Sequence, residues 1–135
     1  MPATLVDSNI LLDLMTEDPR WFAWSSAAVE RAADTSRLVI NAIIYAEVSV
    51  RYSRIEDLDD ALPRSMFERQ PIPYEAAFLA GKVFLAYRRR GGTKHAPLPD
   101  FLIGAHAAIA GYRLLTRDPT RFRTNFPALP LIAPE

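Results

Sequence analysis

The sequence predicts an α/β protein, a three-layer α/β/α sandwich built on a mainly parallel sheet. Short apolar runs of β character alternate with longer amphipathic stretches along the chain. The stretches between those runs are long enough to be helical crossovers, and such connections give right-handed, parallel strand pairs. The composition over 135 residues, half hydrophobic and 24% charged, is that of one globular domain covering residues 1–135.

Each element has its own signal. Ala3–Val6 is apolar, partly β-branched, and ends at Asp7, as a strand does. Asn9–Thr16 sets Ile10, Leu11 and Leu14 on one side of a short helix. Pro19 suits the first turn of a second helix, which runs to about Ala33 with Trp21, Trp24, Ala28 and Ala32 at helical spacing. Arg37–Ile40 is the second strand, and Asn41 caps a helix from Ala42 to about Tyr52. Leu58, Leu62 and Met66 are in helical register over Glu56–Arg69, where Pro63 can kink or divide the helix. Pro71–Tyr74 reads as a short edge strand or a loop, because proline cannot donate to a ladder. Glu75–Arg90 is a long helix with Ala76, Leu79, Val83 and Tyr87 on one face, ended by Gly91-Gly92. A loop follows over 91–97. Pro99–Gly111 is apolar on nearly every side, which predicts a buried helix. Arg113–Thr116 is a strand, Asp118-Pro119 opens a short helix, and Leu129–Ile132 is a last strand held to an edge by Pro130.

The absence of cysteine excludes a disulfide scaffold, a thiolate nucleophile and Cys-based metal sites. No Lys or Arg precedes Leu5 and Asp7 interrupts the first apolar run, so no signal peptide is expected. The uncharged run from Phe101 to Tyr112 falls short of the roughly 20 residues that span a bilayer. A soluble, cytoplasmic protein with no membrane partner is therefore expected. Charge is balanced overall, at 16 basic and 16 acidic residues, but not along the chain. Residues 1–81 carry an acidic excess, and residues 82–123 hold nine Lys and Arg against Asp100 and Asp118 alone. That stretch reads equally as a phosphate-attracting surface or as solvated charge.

Ligands of such sheets sit in the crevice at the C-terminal strand ends. Asp7 follows the first strand, and Asp118 lies just beyond Thr116. Glu47 belongs to the helix after the second strand, among Ile43, Ile44, Val48 and Val50. Asp100 heads the apolar helix, where it is either a helix-start carboxylate or a ligand. Carboxylates converging on one crevice repel each other unless a cation lies between them. An all-oxygen set suits Mg²⁺ or Mn²⁺. Such an ion can activate water for displacement at phosphorus. Arg88, Arg89, Arg90 and Lys94 precede Asp100 closely enough to hold a phosphodiester backbone beside it.

Val6-Asp7-Ser8-Asn9-Ile10-Leu11-Leu12-Asp13, Ala46-Glu47-Val48, Pro99-Asp100-Phe101-Leu102-Ile103-Gly104-Ala105-His106-Ala107 and Leu115-Thr116-Arg117-Asp118-Pro119 with Phe122 together resemble the PIN domain. More narrowly they resemble the VapC toxins of VapBC toxin–antitoxin modules, over essentially the whole chain and in order. The resemblance implies an endoribonuclease dependent on Mg²⁺ or Mn²⁺, usually a homodimer, that cuts tRNA or rRNA and is inhibited by a cognate antitoxin. It implies that Asp7, Glu47, Asp100 and Asp118 are the catalytic, metal-binding acids, with Asp118 acting directly or through water. Ser8, Asn9 and Thr116 match its supporting polar positions.

Other residues carry plainer readings. His106 is expected to be a core or supporting histidine, since helical spacing turns it away from Asp100. His95 touches RNA or is simply solvated. Trp21, Phe22 and Trp24 cannot all face one way, so some are exposed and available to an antitoxin or a second copy. Arg117 contacts phosphate or pairs with a neighbouring acid. Asp13 is structural, and Gly104 serves close packing.

Other phosphate chemistries fit less well. A haloacid-dehalogenase phosphatase needs an acid where Asn9 stands, a receiver domain needs a late strand-end lysine, and a dinucleotide site needs glycines where Asp7-Ser8-Asn9 has none. The alternative from another class is a non-catalytic PIN-like module that binds RNA or protein.

Overall fold

The computed structural model describes residues 2–91 and 98–135. Its centre is strand β1 (Ala3–Val6), buried at every position, as a strand covered on both faces must be. β1 pairs in parallel with β2 (Arg37–Ile40) on one side and β4 (Arg113–Leu115) on the other, so Leu5 stands opposite both Val39 and Leu114. Two-residue strands β3 (Glu68–Arg69) and β5 (Leu131–Ile132) complete a parallel sheet of order β3-β2-β1-β4-β5.

Helices α1 (Ser8–Thr16), α2 (Phe22–Thr35), α3 (Ala42–Ser49), α4 (Ile55–Ala61), α5 (Tyr74–Arg89), α6 (Leu98–Ala110) and α7 (Thr120–Arg123) connect and flank the strands. This is the α/β/α architecture expected. α1 packs against α2 and α3, and α6 packs against α5, α7 and β4. Phe101 and Phe122 are fully buried, and Phe84 and Tyr87 of α5 meet the Phe101 ring at 6.1 and 5.5 Å. Gly104 has a packing role: a Cβ there would lie 2.4 Å from the Phe126 ring. Gly91 and Gly111, at φ +83 and +73, follow the ends of α5 and α6 in the left-handed region that glycine reaches without strain. No helix among the described residues is long and apolar enough to cross a membrane.

Three expectations need correction. α2 starts at Phe22 rather than at Pro19, because the Asp18 carboxylate accepts from the backbone N–H of Arg20 and Trp21 and forms a turn first. The helical pattern over Glu56–Arg69 breaks at Ala61. Pro63 ends it, its carbonyl accepts from Met66 and Phe67 in a turn, and the chain re-enters the sheet at Glu68. The third strand is therefore Glu68–Arg69 and not Pro71–Tyr74. Gln70 N–H donates to the Ile40 carbonyl, while Pro73 leads into α5.

The order β3-β2-β1-β4-β5 has a topological consequence. The chain leaves β1 toward β2 and β3, then returns to the far side of β1 for β4 and β5. The switch point lies between β1 and β4, and there the crevice opens at the carboxyl ends of the strands. Asp7 and Thr116 are the first residues beyond those two strands.

Candidate active site

Asp7 is completely buried and caps α1, with Oδ1 accepting from Ser8 N–H at 2.8 Å. Its Oδ2 accepts from the Thr116 hydroxyl at 2.8 Å, across the switch point. Thr116, equally buried, also accepts from Asn9 Nδ2 at 3.4 Å and from Asp118 N–H at 3.1 Å. Asn9 Oδ1 takes the Arg117 N–H. One hydroxyl thus ties Asp7, Asn9 and the Asp118 turn together. Ser8 Oγ donates to Glu47 Oε1 at 2.8 Å, bringing the half-buried Glu47 of α3 to the same place.

Asp100, in the first turn of α6, enters from the other side. Both of its carboxylate oxygens accept from one guanidinium, that of Arg121: Nε donates to Oδ2 at 3.1 Å and Nη2 to Oδ1. The same Nη2 lies 3.7 Å from Asp7 Oδ2. Asp118 is partly exposed at the rim, where its Oδ1 accepts from the Thr120 hydroxyl.

The electrostatics follow from this crowding. Burial pushes the Asp7 carboxyl above its ordinary range, against the opposing pull of Arg121, Thr116 and Ser8 N–H, and Asp100 adds to the rise. Burial raises the Glu47 carboxyl too; Ser8 opposes it, and the charges of Asp7 and Asp100 add to it. Burial on its own lowers the Arg121 pKa, but Asp7, Asp100 and Asp118 outweigh it and hold the guanidinium charged. Asp7, Glu47 and Asp100 therefore feel one another, as an acid cluster does. As they stand, no three His, Asp or Glu side chains among the described residues ring a point closely enough to hold a metal ion. Their chemistry nevertheless fits a hard divalent cation: the donors are all oxygens, one is fully buried, and their negative charges repel one another unless a cation lies between them.

The remaining residues sort clearly. Arg117 pairs through Nε and Nη2 with both oxygens of the buried Asp13, at 2.9 and 3.0 Å, and lies 5.3 Å over the Trp21 ring. Of its two sequence readings, the acid pairing is the one seen. Arg88, Arg89 and Arg90 are exposed at the end of α5; Arg88 lies over Phe84 and Arg90 donates to Asn125. Lys94 and His95 lie outside the described residues. His106 is buried in α6, and its Nδ1 is 3.0 Å from the Asn41 amide, whose oxygen caps α3. Burial lowers the His106 pKa, so the ring is neutral and accepts from Asn41. Among the three crowded aromatics, Phe22 is the exposed one, while Trp21 and Trp24 stack edge to face.

Sequence reasoning missed Arg121. In Thr120-Arg121-Phe122-Arg123 it looks like one more surface charge in a basic stretch. The available signal was its position three residues after Asp118, beside a phenylalanine that had to be buried.

A doubly wound parallel sheet with carboxylates gathered at its switch point defines the class of domain. The PIN domain family model matches residues 4–125, and the chain belongs to the PIN domain family. Solved structures share the fold over nearly their full length. The VapBC2 complex of Rickettsia felis, bound to a promoter DNA fragment, contains a chain with TM-score 0.74 and 19% identity, covering 97% of this chain and 98% of that one. VapBC-1 from nontypeable Haemophilus influenzae gives 0.73 and 21%, covering 97% of each chain. A toxin–antitoxin complex from Klebsiella pneumoniae gives 0.71 and 22%, covering 98% of each. Among curated proteins, none matches the chain.

Proposed function

We propose that this PIN domain is a metal-dependent endoribonuclease, the toxin component of a type II toxin–antitoxin module. The observation that carries the reading is the meeting of Asp7, Glu47 and Asp100 at the switch point, with Thr116 and Ser8 fixing the first two. Family membership and the toxin–antitoxin complexes among its structural neighbours support it.

Asp7, Glu47 and Asp100, with Asp118 at the rim, would hold Mg²⁺ or Mn²⁺. A bound ion there supplies Lewis acidity toward water and the scissile phosphate. The chain's own residues do the positioning. Thr116 Oγ and Ser8 N–H hold both oxygens of Asp7, so that carboxylate cannot rotate. Ser8 Oγ aims Glu47, and Asn9 braces Thr116 and the Arg117 backbone.

Arg88, Arg89 and Arg90, exposed at the end of the helix that packs on Phe101, would take the backbone of a tRNA or rRNA, with Lys94 following them in sequence. The cognate antitoxin would meet the acid crevice and the Phe22 edge. Tyr74, Phe78 and Leu85, exposed along α5, offer an apolar face to a second copy in a homodimer.

One observation favours the alternative of a non-catalytic RNA- or protein-binding module: Arg121 already lies among the acids. Cleavage of tRNA and rRNA by the purified chain, with Mn²⁺ or with excess EDTA, separates the two. Cleavage that needs metal and disappears in a folded Asp7→Asn variant is the expected result. Undiminished cleavage in EDTA removes the metal mechanism, and RNA binding without cleavage leaves the binding module.

A further inference from the structure

Among the described residues, Arg121 is the cation that the fold delivers into the acid cluster. It leaves α7 beside Phe122, whose fully buried ring anchors that short helix and lies 5.2 Å beneath the guanidinium. Its Nε and Nη2 engage both oxygens of Asp100, and Nη2 also faces Asp7 Oδ2. One end of one side chain therefore spans two acids whose negative charges repel each other. A divalent cation would need the same oxygens, and a fixed positive charge beside them repels it. Arg121 has somewhere to go, because its side chain is long and 28% exposed while the anchor is Phe122.

We propose that Arg121 is a built-in counter-ion that holds the acid cluster together in the metal-free chain and must leave Asp100 for a divalent cation to bind. The inference rests on the metal site of the proposed function and adds a regulation of it. Metal affinity is set by a competition inside the molecule, so the chain is quiet at low metal without any partner.

The test compares Arg121→Gln and Arg121→Lys with the unaltered chain by Mn²⁺ titration, followed by calorimetry and by EPR of the free ion, and by melting with and without Mn²⁺. Arg121→Gln is expected to bind Mn²⁺ about tenfold more tightly, a gain of about 1.4 kcal/mol. Without metal it should melt a few degrees lower than the unaltered chain. Arg121→Lys keeps the charge but loses the two-pronged grip and should fall between them. In the unaltered chain, the hydrogen bond to Asp100 protects Arg121 Nε–H, whose resonance should shift and exchange faster at saturating Mg²⁺. Equal or weaker Mn²⁺ binding by folded Arg121→Gln overturns the inference while leaving the nuclease reading in place. So does a resonance that Mg²⁺ leaves unmoved although Mg²⁺ binds. Failure of every one of these chains to bind Mn²⁺ overturns both.

Discussion

Arg117 and Arg121 stand four residues apart, and each grips an aspartate with two nitrogens. Around the Arg117 pair, everything is matched. Asp13 is 2% exposed and takes a further hydrogen bond from Ser25 Oγ at 2.7 Å, and Trp21 covers the guanidinium. One negative charge meets one positive charge, and α1, α2 and the turn after β4 are stapled together. Around the Arg121 pair the account does not balance. Asp100 is only one of the acids there, with Asp7 and Glu47 inside and Asp118 at the rim. The same chemical pair is a staple where charge is matched and a removable plug where negative charge is in surplus.

The largest effect expected on that comparison is from Arg117→Met. It strands the buried Asp13 and should cost about 3 kcal/mol in urea denaturation, toward the low end for broken buried pairs because Arg117 is 30% exposed. Added Mn²⁺ should leave that deficit relative to the unaltered chain unchanged, whereas it should close the deficit of Arg121→Gln, whose site binds the ion more tightly. Recovery of both variants by metal would erase the distinction.

Thr116 links the two regions, since it serves Asp7 directly and Asn9 carries its influence to the Arg117 backbone. Thr116→Val leaves Asp7 Oδ2 without its hydroxyl donor and Asp118 N–H without an acceptor, and should cost about 2 kcal/mol in thermal or urea unfolding together with most of the nuclease activity.

Asp7→Asn and Asp100→Asn should part company. The folded-state pKa of Asp7 is raised, so folding disfavours its charge. Its stabilising contribution is present in acid, is lost as pH rises past 3.8 toward the folded value, and at neutral pH only the penalty remains. Asp7→Asn removes that penalty, and the metal-free chain should melt a few degrees higher. Asp100→Asn takes away the main partner of Arg121 and should bring no such gain. Equal gains would mean that Arg121 contributes nothing to holding the cluster.

The smallest effect tests the core behind the crevice. Burial holds His106 below its ordinary 6.5, so as pH falls past 6.5 the unfolded chain takes a proton before the folded one does. Stability should decline below about 6.5, level off under the folded pKa, and lose this slope in His106→Gln. An identical slope in the variant would assign it to another group.

The strand-end acids were legible because β1, β2 and α6 have strong local patterns, and a strand end or helix start fixes where the next side chain goes. Asn41 was legible as a cap for the same reason, but its second bond, to His106, was not. β3 was misplaced because two residues carry no periodicity and Met66 continued a helical register that Pro63 had already ended. Arg121 went unread because its local marks, Asp118 and Phe122, do not say where it reaches: its meaning comes from Asp100, 21 residues back, and from Asp7 beyond β1.

The hydrogen bond from Thr116 to Asp7 joins residues 109 apart. Asp7 is made long before the strand that completes its surroundings. β1 can pair with β2 early, but its other edge stays open until β4 has been synthesised. Until then Asp7 has neither Thr116 nor the cation of Arg121, and the crevice has only one wall. Folding of the site is therefore deferred until β4 has been made, and a growing chain that lacks β4 carries Asp7, Glu47 and Asp100 without the geometry that could make them a nuclease.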